Sequence, residues 1–359
     1  MFRGRGKKEL QSSGTVRIDG SYGEGGGQII RTCLSLAALT GRAFEVVNVR
    51  AGRPKPGLQA QHLTAVQSTA QICGAHAEGA HIGSSSFLFA PQHSPISGQY
   101  NFEVGTAGAT TLIAQTLVLP LSCAQGKSHV QISGGTHVPF APVADYLESV
   151  YLELLRRLGM SATSHYEAAG YYPKGGGKLV LEIDPSAEIR PVNLVQRGRL
   201  LRLSARIITS RLPEHVGRRG ALAVQEFMRS AGHDVETEQI NPPSCAPGAA
   251  VFIQAECEGG IAGFSALGQV GKPMERVARD ACQEFLAWWE SGAPCDERLA
   301  DQLVLPMAFA SGISRWVTRR VTDHLRTVVW VVEQFLPVSI GIEERADGLA
   351  EIAVRSYGR

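Results

Sequence analysis

The residues able to do chemistry in this 359-residue chain fall in a few short stretches. His324 stands in Thr322-Asp323-His324-Leu325, just ahead of an apolar helical run from Val328 to Phe335. A neutral imidazole keeps a lone pair near pH 7 and can act as nucleophile or base. The plainer alternative is a histidine that merely starts a helix. The second stretch is Ile18-Asp19-Gly20-Ser21-Tyr22-Gly23-Glu24-Gly25-Gly26-Gly27-Gln28-Ile29-Ile30-Arg31, with five glycines in the eight residues from Gly20 to Gly27. It lies between an alternating segment and an apolar helical pattern (Ile29, Ile30, Cys33, Leu34, Ala37, Ala38) that ends at Gly41. Strand, glycine loop and helix in that order turn free backbone N–H groups toward an anion. Glu24 would repel that anion unless a divalent cation stood between them. The stretch matches neither the P-loop nor the dinucleotide fingerprint, so a plain tight turn is the competing reading.

A third stretch, Arg50-Ala51-Gly52-Arg53-Pro54-Lys55-Pro56-Gly57, follows the strand Phe44 to Val49. Its prolines stiffen the loop. A fixed arginine can grip phosphate through two N–H groups, which a mobile one does poorly. A helix is predicted from about Gln61 to Cys73, with Gln61 and His62 in its first turn. Gln115 lies inside another apolar helix and must find a hydrogen-bond partner, in the fold or on a ligand.

The elements that must position these residues repeat. Strand Tyr100–Val104, the small-residue turn Gly105–Thr110, a helix from Thr111 to Cys123 and strand His129–Ile132 form a second unit of the same design. Ser133-Gly134-Gly135-Thr136-His137 then leads to a long helix from near Pro142 to Leu158, and a strand runs from Lys178 to Ile183. A third copy is read from Leu299 onward. Between about 188 and 293 the pattern changes to βαββα: strand 200–208, helix 215–231, strands 250–257 and 261–268, helix 274–289. This reads as a small domain inserted into a larger one.

Bulk composition narrows the classes. Hydrophobic residues make up 44% and charged residues 19%, ordinary for a globular protein with a sizeable core. The net charge of +2 means that any nucleic acid must be held by a local patch. Seven scattered cysteines show no zinc spacing and read as reduced core residues of a cytosolic protein. No apolar run is long enough to span a membrane. The basic start, Met1 to Lys8, lacks the apolar core of a signal peptide and reads as a solvated tail.

Gly23–Arg31, Arg50–Leu58, Ser133–Thr136 and Leu299–Leu303 in series resemble the RNA 3'-terminal phosphate cyclase family, over roughly residues 16 to 338. The resemblance implies an α/β (α+β) fold. A large domain of three repeated β-α-β-α-β-β units (1–187 and 294–359) would carry a smaller α/β domain (188–293). It is similar to the enolpyruvyl transferase fold, so fold alone does not give function. The implied reaction is ATP-dependent conversion of an RNA 3'-phosphate to a 2',3'-cyclic phosphodiester. It would pass through a histidine–AMP and an RNA-adenylate, releasing AMP and pyrophosphate.

By the same resemblance His324 is the nucleophile and Glu24 holds Mg²⁺ or Mn²⁺. Arg50 and Arg53 take phosphates, and Gln28, Arg31, Gln61 and His62 line the phosphate and RNA site. Gln115, Arg298, Leu299, Ala300, Asp301 and Gln302 contact the nucleotide, and Asp301 orients His324 or helps with the metal. The partner would be RNA with a 3'-phosphate end, and the location cytoplasmic, or nuclear in a eukaryote. Four residues depart from the family pattern. Val328 replaces an asparagine expected soon after Thr327, Arg326 and Trp330 are unusual, and His137 stands where Asp or Asn is expected. A related non-catalytic branch, RNA-binding ribosome-biogenesis proteins, lacks the histidine; His324 argues against that alternative.

Overall fold

The structure, a computed structural model, describes residues 14–356, so the basic segment Met1–Lys8 lies outside the described residues. The chain begins with β1 (Val16–Asp19), α1 (Gly27–Thr40), β2 (Phe44–Val47), α2 (Ala60–Cys73), β3 (His76–Glu78) and β4 (Phe87–Ala90). These strands form a sheet in the order β1-β2-β4-β3. The first pair is parallel, as a helical crossover requires, and the others are antiparallel.

A second sheet uses β5 (Gln99–Glu103), α3 (Thr110–Ser122), β6 (Ser128–Gly134), a helical stretch, β7 (Ala162–Ala168) and β8 (Gly177–Ile183). Its order is β5-β6-β8-β7. The predicted long helix is three pieces: α4 (Ala144–Tyr146), a π-helical turn (Leu147–Leu152) and α5 (Glu153–Arg157). The short strand β9 (Asn193–Leu194) comes next.

The following elements build a sheet of their own. They are β10 (Leu200–Ser210), α6 (Glu214–Ser230), β11 (Glu236–Ile240), β12 (Gly248–Cys257), β13 (Gly260–Leu267) and α7 (Met274–Ser291), with strand order β11-β10-β12-β13. The sequence reading of this segment omitted β11. That strand is Glu-Thr-Glu-Gln-Ile at a sheet edge, held by Arg202–Glu236 and Arg206–Glu238 pairs, so it has no apolar alternation to read. Both helices and most of these strands share an apolar cluster around Val224, Ile253, Val277 and Phe285.

The chain then returns through α8 (Glu297–Gln302), α9 (Val304–Ala308), β14 (Ile313–Thr318), α10 (Asp323–Phe335), β15 (Ser339–Glu344) and β16 (Ala350–Arg355). Their sheet has the order β15-β16-β14-β9. Read from β9, it follows the pattern of the first two sheets: one parallel pair, then two antiparallel pairs.

Helix α1 is the hub. Nine of its residues from Ile29 to Ala38 are buried, and it packs against α2, α3 and α10. Ser35 Oγ donates to the Thr116 carbonyl at 2.8 Å, tying α1 to α3. Five cysteines are buried, as their apolar settings predict. Cys245 is exposed instead, because it lies in a proline-rich loop with its thiol turned to the Gly175 carbonyl.

Asp296 fixes the start of α8. Its buried carboxylate accepts from the backbone N–H of Arg298 and Leu299, from Tyr146 Oη at 2.9 Å and from Gly263 N at 3.1 Å. One side chain thus joins three distant parts of the chain. Asp296→Ala would strand four buried donors and is expected to cost about 3 kcal/mol, read as a lower urea midpoint. A midpoint equal to wild type would show that these contacts contribute nothing.

Candidate active site

The glycine loop turns between β1 and α1, with Gly23 and Gly25 at φ of 56° and 59°. Its glycines are needed mainly for close approach. A Cβ on Gly26 would run into the Glu24 carboxylate and the Arg53 guanidinium, and one on Gly27 would meet His62 and Arg31. Four functional side chains therefore close directly over bare backbone. The loop is also clamped to α10: Glu24 N donates to Thr327 Oγ1 at 3.3 Å, and that hydroxyl donates to the Asp323 carbonyl.

Helix α10 starts at Thr322, whose hydroxyl accepts from Leu325 N. This cap sets His324 in the first turn with 48% of its side chain exposed. Its Nδ1 lies 2.9 Å from Glu24 Oε2, although that oxygen accepts no aligned hydrogen bond. The other Glu24 oxygen pairs with Arg53 Nη2. Partial burial pulls the imidazole below its ordinary pKa, nearby Asp301 opposes the shift, and Arg31 and Arg53 add to it. The ring is therefore neutral at pH 7. Asp301 is pushed up to about 7 by burial, partly offset by His324 and Arg31. Arg31, lowered to about 10 by desolvation, stays charged.

Beside His324 opens a cavity lined by Gln28, Arg31, Gln115, Tyr151, Asp301, Gln302 and Val328, among others. Arg31 Nη2 donates to Gln28 Oε1 at 2.8 Å, which sets the guanidinium on this wall. Gln115 Nε2 and Gln302 Oε1 are buried without a partner among the described residues. An unpaired donor and an unpaired acceptor on one cavity wall suit the polar edge of a heteroaromatic ligand.

The remaining sequence candidates are placed as follows. Gln61 Oε1 accepts from Ala109 N at 3.1 Å. His62 is buried, caps α2 by accepting from Gln59 N, and is depressed to about 3 by burial and by Arg31 and Arg50. Arg50 ties its own loop by donating to the carbonyls of Lys55 and Gly57. Of the run from Arg298 to Gln302, only Asp301 and Gln302 line the cavity. Leu299 and Ala300 sit in the apolar core, and Arg298 pairs with Glu284 on α7, because one helical turn cannot face all five inward. Among the described residues no three carboxylates, histidines or cysteines converge as a metal cluster.

Residues 22–342 match the family model for RNA 3'-terminal phosphate cyclase. This chain belongs to the RNA 3'-terminal phosphate cyclase family. A relative so named from Trichormus variabilis is 43% identical, over 89% of this chain and 94% of its own. Relatives with the same name from Methylococcus capsulatus and Pyrobaculum neutrophilum are each 42% identical, over 94% and 91% of this chain and 96% and 95% of theirs. The enolpyruvyl transferase NikO from Streptomyces tendae superposes with a TM-score of 0.38 at 11% identity, over 97% of this chain and 48% of that one, too weak a likeness to bear on fold or function.

The departures from the family pattern have structural partners. Val328 is buried in the cavity wall. His137 is fully buried, with Nε2 2.8 Å from Asp145 Oδ2 and Nδ1 2.8 Å from Thr136 Oγ1. Burial alone would raise Asp145, but His137 and Arg206 outweigh it and hold the carboxylate low. Trp330 stacks on Tyr22, with ring centroids 4.0 Å apart.

The His324 titration is a direct check. Its NMR midpoint should lie below 6.5, because burial disfavours the imidazolium. A midpoint above 6.5 would contradict the electrostatics described.

Proposed function

We propose that the protein is an ATP-dependent RNA 3'-terminal phosphate cyclase acting on RNA that ends in a 3'-phosphate. The observation that carries this reading is the neutral, half-exposed His324 imidazole facing Glu24, one helical turn from Val328 in the cavity wall. A non-catalytic RNA-binding role would not need a nucleophile so arranged.

Nδ1 lies against Glu24 at 2.9 Å, so Nε2 is the nitrogen that meets an incoming phosphate. Nε2 attacks the α-phosphorus of ATP; an N–P bond forms as the P–O bond to pyrophosphate breaks. The RNA 3'-phosphate oxygen then attacks the same phosphorus, making a P–O–P linkage and returning the electron pair to the imidazole. Finally the neighbouring 2'-oxygen attacks the 3'-phosphorus, its proton goes to solvent, and AMP leaves. An oxygen of the 3'-phosphate is a poor leaving group until AMP is attached to it, which is why ATP is consumed.

Gln115 and Gln302 supply the donor and acceptor for the nucleotide base. Arg31 and Arg53 offset charge on the phosphates. Glu24 suits Mg²⁺ or Mn²⁺, because one of its buried oxygens accepts no hydrogen bond and Mg²⁺ commonly takes one carboxylate plus substrate phosphates. When bound, the ion would neutralise charge on the triphosphate and on departing pyrophosphate. We also read residues 188–293 as a separate small domain inserted in the larger one. The seven free thiols suit a reducing compartment, and we place the protein in the cytoplasm.

Incubation with α-labelled ATP and Mg²⁺ should give an acid-labile, hydroxylamine-resistant protein adduct. Added RNA 3'-phosphate should discharge it to a cyclic end. His324→Asn should abolish the label. An unlabelled wild type, or unchanged labelling in His324→Asn, would reject the reading.

A further inference from the structure

Two residues at the edge of the site remain without a role. Tyr22 belongs to the glycine loop and is 43% exposed, and its ring stacks on Trp330 of α10 at an interplanar angle of 16°. Trp330 and Val328 differ by about 200° around the helix, so they face opposite sides of it. The nucleotide cavity lies on the Val328 side. The aromatic pair therefore flanks His324 away from the cavity, beside Glu24 and Thr327. Trp330 follows His324 by about 9 Å along the helix axis, a distance that a few nucleotides of a single strand cover.

Charge completes the pattern. Arg326 precedes Trp330 by one turn on the same helix face. Its side chain is 55% exposed and lies 3.8 Å from Glu344, a loose pair that leaves the guanidinium available. An aromatic face next to a free cation is the usual means of holding a single strand, the ring stacking a base and the cation taking a phosphate. Trp330 is half-buried against the core and supports the stack from below, while Tyr22 presents its ring to solvent.

We infer that Tyr22 and Trp330 form the platform on which a nucleobase near the 3' end of the RNA stacks, with Arg326 on the adjoining backbone. This rests on the cyclase reading above. The cavity holds the nucleotide on one side of His324, and the platform delivers the RNA end from the other.

The test replaces each of the last three nucleotides of a 3'-phosphorylated RNA in turn by an abasic one and measures kcat/KM for cyclisation. Wild type should lose about tenfold at one of these positions. In Trp330→Leu and Tyr22→Leu the penalty at that position should shrink toward none, whereas Trp330→Phe should keep it. Labelling by ATP reports whether each variant is folded, and Tyr22→Leu serves if Trp330→Leu is not. A wild type that cyclises with a flat abasic profile, or leucine variants with the wild-type profile, would overturn the inference. A wild type that forms no cyclic product would instead overturn the cyclase reading itself.

Discussion

The contact between Glu24 and His324 is the constraint on which the site depends. The two residues are 300 positions apart, one in a loop after β1 and the other in the first turn of α10. Their meeting requires that loop and helix be locked together, and Thr327 does this through its hydroxyl. It requires also that the loop have almost no side-chain bulk, so that Arg53, His62 and Arg31 can close over it. The result is a carboxylate set between an arginine and a half-exposed imidazole.

The surrounding fold serves this arrangement. Helix α1 packs on three helices at once, so Gln28 and Arg31 at its start are held against Gln115 of α3 and Val328 of α10. The three sheets of one strand order bring these helices from different parts of the chain to a common centre. Asp296 fixes the start of α8 and hence Asp301 and Gln302. Burial then tunes the charges: it lowers His324 and raises Asp301 toward neutrality, while Arg31 stays positive. A neutral nucleophile in a cationic setting is what attack on a polyanion needs.

Much of this was legible in the sequence because it rests on local signals. Gly41 ends α1 in the left-handed conformation, and the apolar spacing of α2, α3, α6 and α7 marks helices within a residue or two of those observed. The glycine loop and the Arg-Pro loop stood out by composition. What stayed hidden depends on tertiary contact. β3 is an edge strand of only 3 residues, and β11 is a polar edge strand whose pattern does not alternate. The apolar Leu299 and Ala300 lie in the core and the polar Asp301 and Gln302 face the cavity, a division that the residue types allow but that a motif taken as one block passes over. Gln115 was seen to need a partner, but only the structure shows that its Nε2 finds none among the described residues. Arg50, read as a phosphate ligand, donates from Nη1 to two carbonyls of its own loop, a contact that only the structure shows.

The account turns on which imidazole nitrogen is free. Nδ1 lies against Glu24, so under the proposed function the bond to phosphorus forms at Nε2. The direct measurement is phosphorus–nitrogen correlation NMR on the adenylylated protein carrying ¹⁵N-labelled histidine. A coupling from the phosphorus of AMP to Nε2 of His324 is the predicted result. A coupling to Nδ1, or to any other residue, would contradict the arrangement described.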